Sequence, residues 1–359
     1  MKKRLGNKDW EIKKLGDVCE VINGKNQKAV EDKNGSYPIY GSGGIMGYAS
    51  EYLCRENTTI IGRKGSINNP LYVEEKFWNV DTAFGFQSKD NYLPKLLFYF
   101  CKSFDFSTHN KGTTIPSLVK SDLLEIPIPV PPLEEQKRIV KILDEKFAQL
   151  ETIKANAQTN LQNAKDLFQS QLTKAFSNTT WEKKKVSEIS ENLDSKRIPI
   201  TKNVRKTGQY PYYGASGIVD YVEDYIFDGK FLLVSEDGAN LLARTSPIAF
   251  IAEGKFWVNN HAHILSFKDE ITMKFVELFF SNLDISPYVT GMAQPKFNQA
   301  PLNNIEIPLP PLPEQKRIVK ELDTLSEKVK ALQNIYEQML LDCEELKQSF
   351  LCKAFAGEL

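Results

Sequence analysis

Two stretches of the chain place apolar residues alternately three and four positions apart. From 318 to 350, Ile318, Leu322, Leu325, Val329, Leu332, Tyr336, Met339, Cys343, Leu346 and Phe350 follow that spacing without a slip. This is an a/d heptad seam, and it predicts a long helix that buries one stripe. The same register earlier in the chain gives Ile139, Leu143, Lys146, Leu150, Ile153, Ala157, Asn160, Ala164, Leu167 and Gln171. Lys146, Asn160 and Gln171 interrupt it, while Phe147, Leu161, Phe168 and Leu172 widen it on one side. The breaks at Lys146 and Asn160 could set register or face solvent. Proline-rich stops at 127–132 and 308–313 precede the two helices, and Glu135 and Glu314 favour the positive helix start. About 44 residues at ~1.5 Å each make a rod near ~66 Å. The simplest partner for each seam is the other, in an intramolecular antiparallel coiled coil.

The remaining sequence has short β-branched and aromatic runs bounded by Gly and Asn turns. Examples are Thr58-Thr59-Ile60-Ile61 and Phe231-Leu232-Leu233-Val234. One helix-like stretch follows in each half, at 92–104 and at 273–283. The fold class expected is therefore α+β. The two halves are also copies of each other. Residues 128–144 and 307–323 share fourteen of seventeen positions at an offset of 179, seven of them unbroken from Glu135 to Lys141. YPIYGSGGIMGY (37–48) returns as YPYYGASGIVDY (210–221), Phe77-Trp78 as Phe256-Trp257, and Lys174-Ala175-Phe176 as Lys353-Ala354-Phe355. A period this long is a duplicated domain with pseudo-twofold symmetry, not a solenoid, whose repeats run ~20–50 residues. Four segments are expected: 1–131, 132–178, 179–310 and 311–359.

Charge limits what such a protein can do alone. Lys and Arg number 46 against 46 Asp and Glu. The four segments carry +3, +1, −2 and −2, from 18 against 15, 7 against 6, 14 against 16 and 7 against 9 charged residues. None is a cationic block, so a nucleic-acid partner would need most of its phosphate contact from another subunit. No apolar run approaches the ~20 residues of a membrane helix. The first residues lack the apolar core of a secretory signal. Five scattered cysteines with no CxxC pair read as thiols of a cytoplasmic protein.

The twin PxPPLxEQKRIVKxLD segments each close a variable part of ~130 residues and open a long helix. With the paired YGSGG and YGASG loops, this arrangement closely resembles the specificity subunit of type I restriction–modification enzymes over essentially the whole chain. The resemblance implies two target recognition domains, each binding one half of a bipartite site on double-stranded DNA. It implies that the two helices form a spacer and dock two methyltransferase subunits, with restriction and translocase subunits joining the full complex. It also implies no catalysis by the chain itself. S-adenosylmethionine, ATP and Mg would belong to partner subunits. The matched joint residues Glu135, Gln136, Arg138, Glu314, Gln315 and Arg317 are the candidate docking positions.

Candidate base-reading residues lie in loops that differ inside matched frames. Arg63-Lys64-Gly65-Ser66 in the first copy stands where the second has Glu236-Asp237-Gly238-Ala239, followed by Asn240. Arg can pair with guanine O6/N7, and Glu or Asp can accept from cytosine N4. Lys111, Thr113 and Thr114, set against Gln294 and Lys296, sit in Gly-bearing turns before Pro116 and Pro295. Asn259, Asn260 and His261, with His263, form a third set, because Asn reads adenine well. Lys196, Arg197, Lys202, Arg205 and Lys206 are candidates for phosphate. His261 and His263 could be read as a zinc pair, but no Cys, Asp or Glu completes a ligand set at a recognisable spacing. No Walker A, GxGxxG or GxSxG pattern occurs. A related type II specificity subunit and a coiled-coil adaptor with no DNA role remain the alternatives.

Overall fold

The computed structural model describes residues 10–178, 180–291 and 293–359. The reading of the extreme N-terminus falls on residues 1–9 and lies outside the described residues. Among the described residues no helix is long and apolar enough to cross a membrane.

Both seams are helices, Leu133–Ala175 and Leu312–Ala356. The first starts directly after Pro131 and Pro132, and the second takes Pro313 into its first turn, where a missing N–H costs nothing. The chain falls into two compact units. One runs to Gln158 and adds Glu337–Leu359; the other is Thr159–Tyr336. Each unit thus combines one α+β body with a stretch of each helix, so its borders cross the four sequence segments. The reason is visible in the cores. In the first unit Ile139 and Leu143 share a core with Leu351, Ala354 and Phe355; in the second Leu172 shares one with Ile318, Val319 and Leu322. In the first unit Lys154 pairs with Glu344 and Glu151 with Lys347, so residue numbers rise on one helix as they fall on the other and the pairing there is antiparallel.

In the first unit, strands Cys19–Asn23, Ala83–Ser88, Thr58–Gly62 and Leu71–Val73 form an antiparallel sheet in that order. A second sheet holds the hairpin Tyr37–Gly41 and Gly44–Ala49, with Trp78–Asn79 parallel to its first strand. Thr58–Gly62 and Ala83–Ser88 are buried at every position, which is why Thr58–Ile61 reads as a continuous run without alternation. Helix Pro94–Ser103 covers the sheet with Leu96, Leu97, Tyr99 and Phe100. Burying each such side chain contributes about 1.5–3 kcal/mol. The second unit has one six-stranded sheet: Glu191–Asn192, Ala262–Ser266, Phe227–Ser235, Ala249–Val258, Thr207–Gly214 and Gly217–Val222. Here the single strand Ala249–Val258 covers ground that the first unit splits between Leu71–Val73 and Trp78–Asn79.

The seam closes at fewer positions than the heptad pattern predicts. Leu143, Leu150, Ala157 and Ala164 are buried on the first helix, as are Leu322, Val329 and Cys343 on the second. Ile153, Leu167, Leu332 and Leu346, the other half of the pattern, are exposed. Each helix buries one narrow face, and the small Ala157 and Ala164 lie on that of the first. Lys146 and Asn160 are exposed, so they face solvent and set no buried register.

Candidate nucleic-acid interface

The three loop sets singled out in the sequence come together in the second unit, and in the first the two sets named there meet the loop at Thr82 through the same backbone hydrogen bonds. In the first unit the Arg63 N–H donates to Thr82 O, Gly65 N–H to Pro116 O, and Leu118 N–H to Arg63 O, at 2.8, 2.9 and 2.9 Å. In the second, Glu236 N–H donates to His261 O, Gly238 N–H to Pro295 O, and Phe297 N–H to Glu236 O, at 2.9, 3.0 and 2.7 Å. Lys64 bridges Ser117 as Asp237 bridges Lys296. Gly65 and Gly238 turn with φ of 78° and 106°, a region a side chain rarely adopts. One three-loop frame is therefore built twice, and the side chains on it differ.

On the first frame Lys64, Ser66, Thr113 and Thr114 are exposed. Lys111 is exposed but ion-paired with Asp122 at 3.3 Å. Arg63 is half-buried, its guanidinium 5.8 Å from the centre of the Phe84 ring. On the second frame Asn260, His261, Gln294 and Lys296 are exposed. The His261 Nδ1 faces both carboxylate oxygens of Asp237, at 2.9 and 2.8 Å.

Four candidates have other tasks. Glu236 directs its carboxylate inward to Arg197, at 2.5 Å, and so is not free to accept from a base. Arg197, offered as a phosphate contact, is held in the same place. Asn259 is buried, and its Oδ1 accepts from the His261 N–H at 2.8 Å. Asn240 closes its own turn: its Oδ1 accepts from the Ser246 N–H and its Nδ2 donates to Ser246 O, both at 3.0 Å. Of the other basic candidates, Arg205 pairs with Asp220 at 3.1 Å and Lys206 with Glu223 at 2.8 Å, whereas Lys196 and Lys202 are exposed.

Beneath the second frame lies a polar cluster that sequence spacing did not reveal. His263 is fully buried; its Nδ1 lies 2.6 Å from Asp194 and its Nε2 donates to Phe297 O at 2.7 Å. Both neighbours only accept, so the ring donates from both nitrogens and carries charge. Burial pushes the Asp194 carboxyl up, but the His263 hydrogen bond and charge, the Ile264 N–H and Arg197 outweigh it and hold it below its usual range. Asp194, Glu236 and His263 bring ligand-type atoms within 4.8 Å of one another. They do not suit a metal ion: both ring nitrogens are engaged, and the Arg197 guanidinium supplies the cation. Ala262–Ser266 is buried at all positions but its last, so no alternation in its sequence signalled the buried position of His263. Its counterpart in the first copy is Phe84, under Arg63. The pairs exchange together: a cation over a ring in one unit, a carboxylate 3.6 Å from an imidazole in the other.

The joint residues divide into two kinds. Gln136 is 1% exposed; its Oε1 accepts from Leu93 N–H at 2.8 Å, and its Nε2 donates to Asn91 O and Pro131 O at 3.1 and 2.9 Å. Gln315 is 3% exposed and donates to Pro310 O at 2.7 Å. The Gln136 amide therefore locks helix to body, the Gln315 amide holds only the proline stop before its own helix, and neither is accessible for docking. On the outer face Arg138 pairs with Glu135 at 2.7 Å, and Arg317 joins Glu314 and Glu321, each at 2.7 Å.

Comparison with known proteins gives a consistent result. The profile of the type I restriction modification DNA specificity domain matches residues 7–162 and again 178–340. The type I restriction enzyme MjaVIII specificity subunit of Methanocaldococcus jannaschii is 25% identical across 95% of this chain and 90% of its own length. The putative specificity subunit S.HindORF215P of Haemophilus influenzae is 38% identical over 155 residues, 43% of this chain and 40% of that protein. Among solved structures, a chain from work on complex assembly and conformational transition of the type I R-M system superposes with a TM-score of 0.80 at 18% identity, covering 99% of this chain and all of that one. The HsdS subunit from Thermoanaerobacter tengcongensis gives a TM-score of 0.63 at 19% identity, over 100% and 99%.

Proposed function

The chain belongs to the family of type I restriction–modification DNA specificity subunits, and from that premise we propose that each of its two units reads one half of a bipartite site on double-stranded DNA. The observation that carries this reading is the three-loop frame, built on the same three backbone hydrogen bonds in both units while its exposed side chains change from Lys64, Ser66 and Thr113 in the first to His261, Gln294 and Lys296 in the second. A constant frame with a variable surface is what two readers of different half-sites require. Donor-rich side chains in one unit and mixed acceptors in the other suit different base edges.

In this reading the chain does no chemistry. Methyltransferase subunits supply S-adenosylmethionine chemistry, and further subunits supply ATP, Mg and cleavage. Exposed apolar positions on the helices, Ile153 and Leu346 in the first unit and Leu167 and Leu332 in the second, offer partner helices surface to pack on, and the helix pair sets the gap between half-sites. Zero net charge fits a reader whose partners bring most of the phosphate contact. DNA as the target places the protein in the cytoplasm. Long-read methylation mapping of the host genome with and without this gene tests the reading. One bipartite methylated motif disappears with the gene; a methylation pattern identical in both strains contradicts it.

A further inference from the structure

The YGSGG and YGASG loops are hairpins, and the reading of half-sites leaves them without a task. Tyr37–Gly41 pairs with Gly44–Ala49, and Thr207–Gly214 with Gly217–Val222. The two agree in detail. Each turns at a glycine, Gly44 with φ 120° and Gly217 with φ 122°. Each has a register shift at the same place, Ile39/Tyr40 and Tyr212/Tyr213. Each is braced at its base by a tyrosine pair, Tyr37–Tyr52 and Tyr210–Tyr225, with centroids 5.1 Å apart and planes at 56° in both cases. A rigid strand so held presents three apolar side chains to solvent. Ile45, Met46 and Tyr48 are 55%, 64% and 48% exposed; Ile218, Val219 and Tyr221 are 47%, 56% and 49% exposed. Single exposed apolar residues need no explanation, but the same triplet at the same register in both copies marks an interaction surface.

Charge and repetition decide what covers it. Neither Gly44–Ala49 nor Gly217–Val222 contains a Lys or Arg, and the second carries Asp220, with Glu223 directly after it. Asp220 and Glu223 are themselves paired with Arg205 and Lys206, so neither strand offers phosphate a cation of its own. The nearby frame loops invert their charge between copies, from Arg63-Lys64 to Glu236-Asp237, while the hairpin keeps Ile and Tyr. A surface that stays the same meets the same thing twice. The Ser235 hydroxyl donates to Ala215 O at the hairpin turn, so an occupant of the tip sits beside the loop that begins at Glu236.

We propose that each hairpin tip is a docking surface for one copy of a protein partner that offers it an apolar slot. Resting on the function proposed above, that partner is the methyltransferase subunit, held by each tip next to the base-reading loops. The test uses the complex co-expressed with its methyltransferase and read by native mass spectrometry. Variants are I45D/M46D, I218D/V219D and both together, with I45L/M46L and I218L/V219L as conservative controls and Ile→Ser, Met→Ser and Val→Ser versions should the Asp forms melt early. Each single-tip variant should hold one partner at least about tenfold more weakly, a loss of about 1.4 kcal/mol. The double variant should lose both, and the Leu controls should keep two. Two partners retained by every variant would overturn the proposal. So would retention of both with weaker binding of a motif-bearing duplex by fluorescence anisotropy, because the tips would then be wedges into DNA. An unaltered chain that retains no methyltransferase would instead sink the proposed function, and this proposal with it.

Discussion

Phe84 and His263 occupy one position of the repeated fold, and each decides what can stand above it. Over the apolar ring of Phe84 an arginine is stable; beside the buried imidazole of His263 a carboxylate is needed. Asp194, Arg197 and Glu236 complete a cluster of two anions and two cations with its hydrogen bonds made internally. Removing one member leaves charge buried without its partner. D194N should cost about 3–5 kcal/mol in chemical denaturation at neutral pH, and a loss below about 1 kcal/mol would contradict the cluster's role. The folded Asp194 carboxyl lies below its ordinary 3.8, so its contribution is complete above that value and is lost as pH falls through the lower folded one. The variant should therefore lose less stability in acid than the unaltered chain. Legibility at this scale was partial. Lys64, Ser66, Asp237, His261 and Lys296 were readable as variable loop residues. The inward turn of Glu236 was not, because it depends on Arg197 and His263, 39 residues before it and 27 after it in sequence.

The two joints show how duplicated elements drift. Gln136 takes the free N–H of Leu93 at the start of helix Pro94–Ser103. In the second copy the corresponding N–H, that of Thr272, is already taken by Asp269, which caps helix Glu270–Asn282. The Gln315 Oε1 is accordingly without a hydrogen-bond partner among the described residues. Q136A strips three buried backbone groups and should cost about 1–3 kcal/mol, whereas Q315A frees one carbonyl and should cost under about 1 kcal/mol. Equal losses in urea unfolding would contradict this asymmetry. The long helices were the most legible elements, since heptad spacing and proline stops fix their extent within a few residues of Leu133–Ala175 and Leu312–Ala356. Which half of each seam closes was not legible. Ile153 and Ala157 both fit the pattern, and only the facing helix selects Ala157.

At the scale of the whole molecule, duplication is the governing fact. Each compact unit carries its own core, its own hairpin and its own three-loop frame. The duplication itself was legible from the EQKRIVK pair and the matched Phe-Trp and Tyr-Gly positions. The exchange of helix segments between units was not, since sequence similarity marks copies and not contacts. Independence of the two readers is the claim on which the account stands. Replacing residues 1–131 with the recognition domain of another specificity subunit, then mapping methylation in the host, tests it most directly. The account predicts a motif with one half changed and the other half intact; a motif altered in both halves would contradict it.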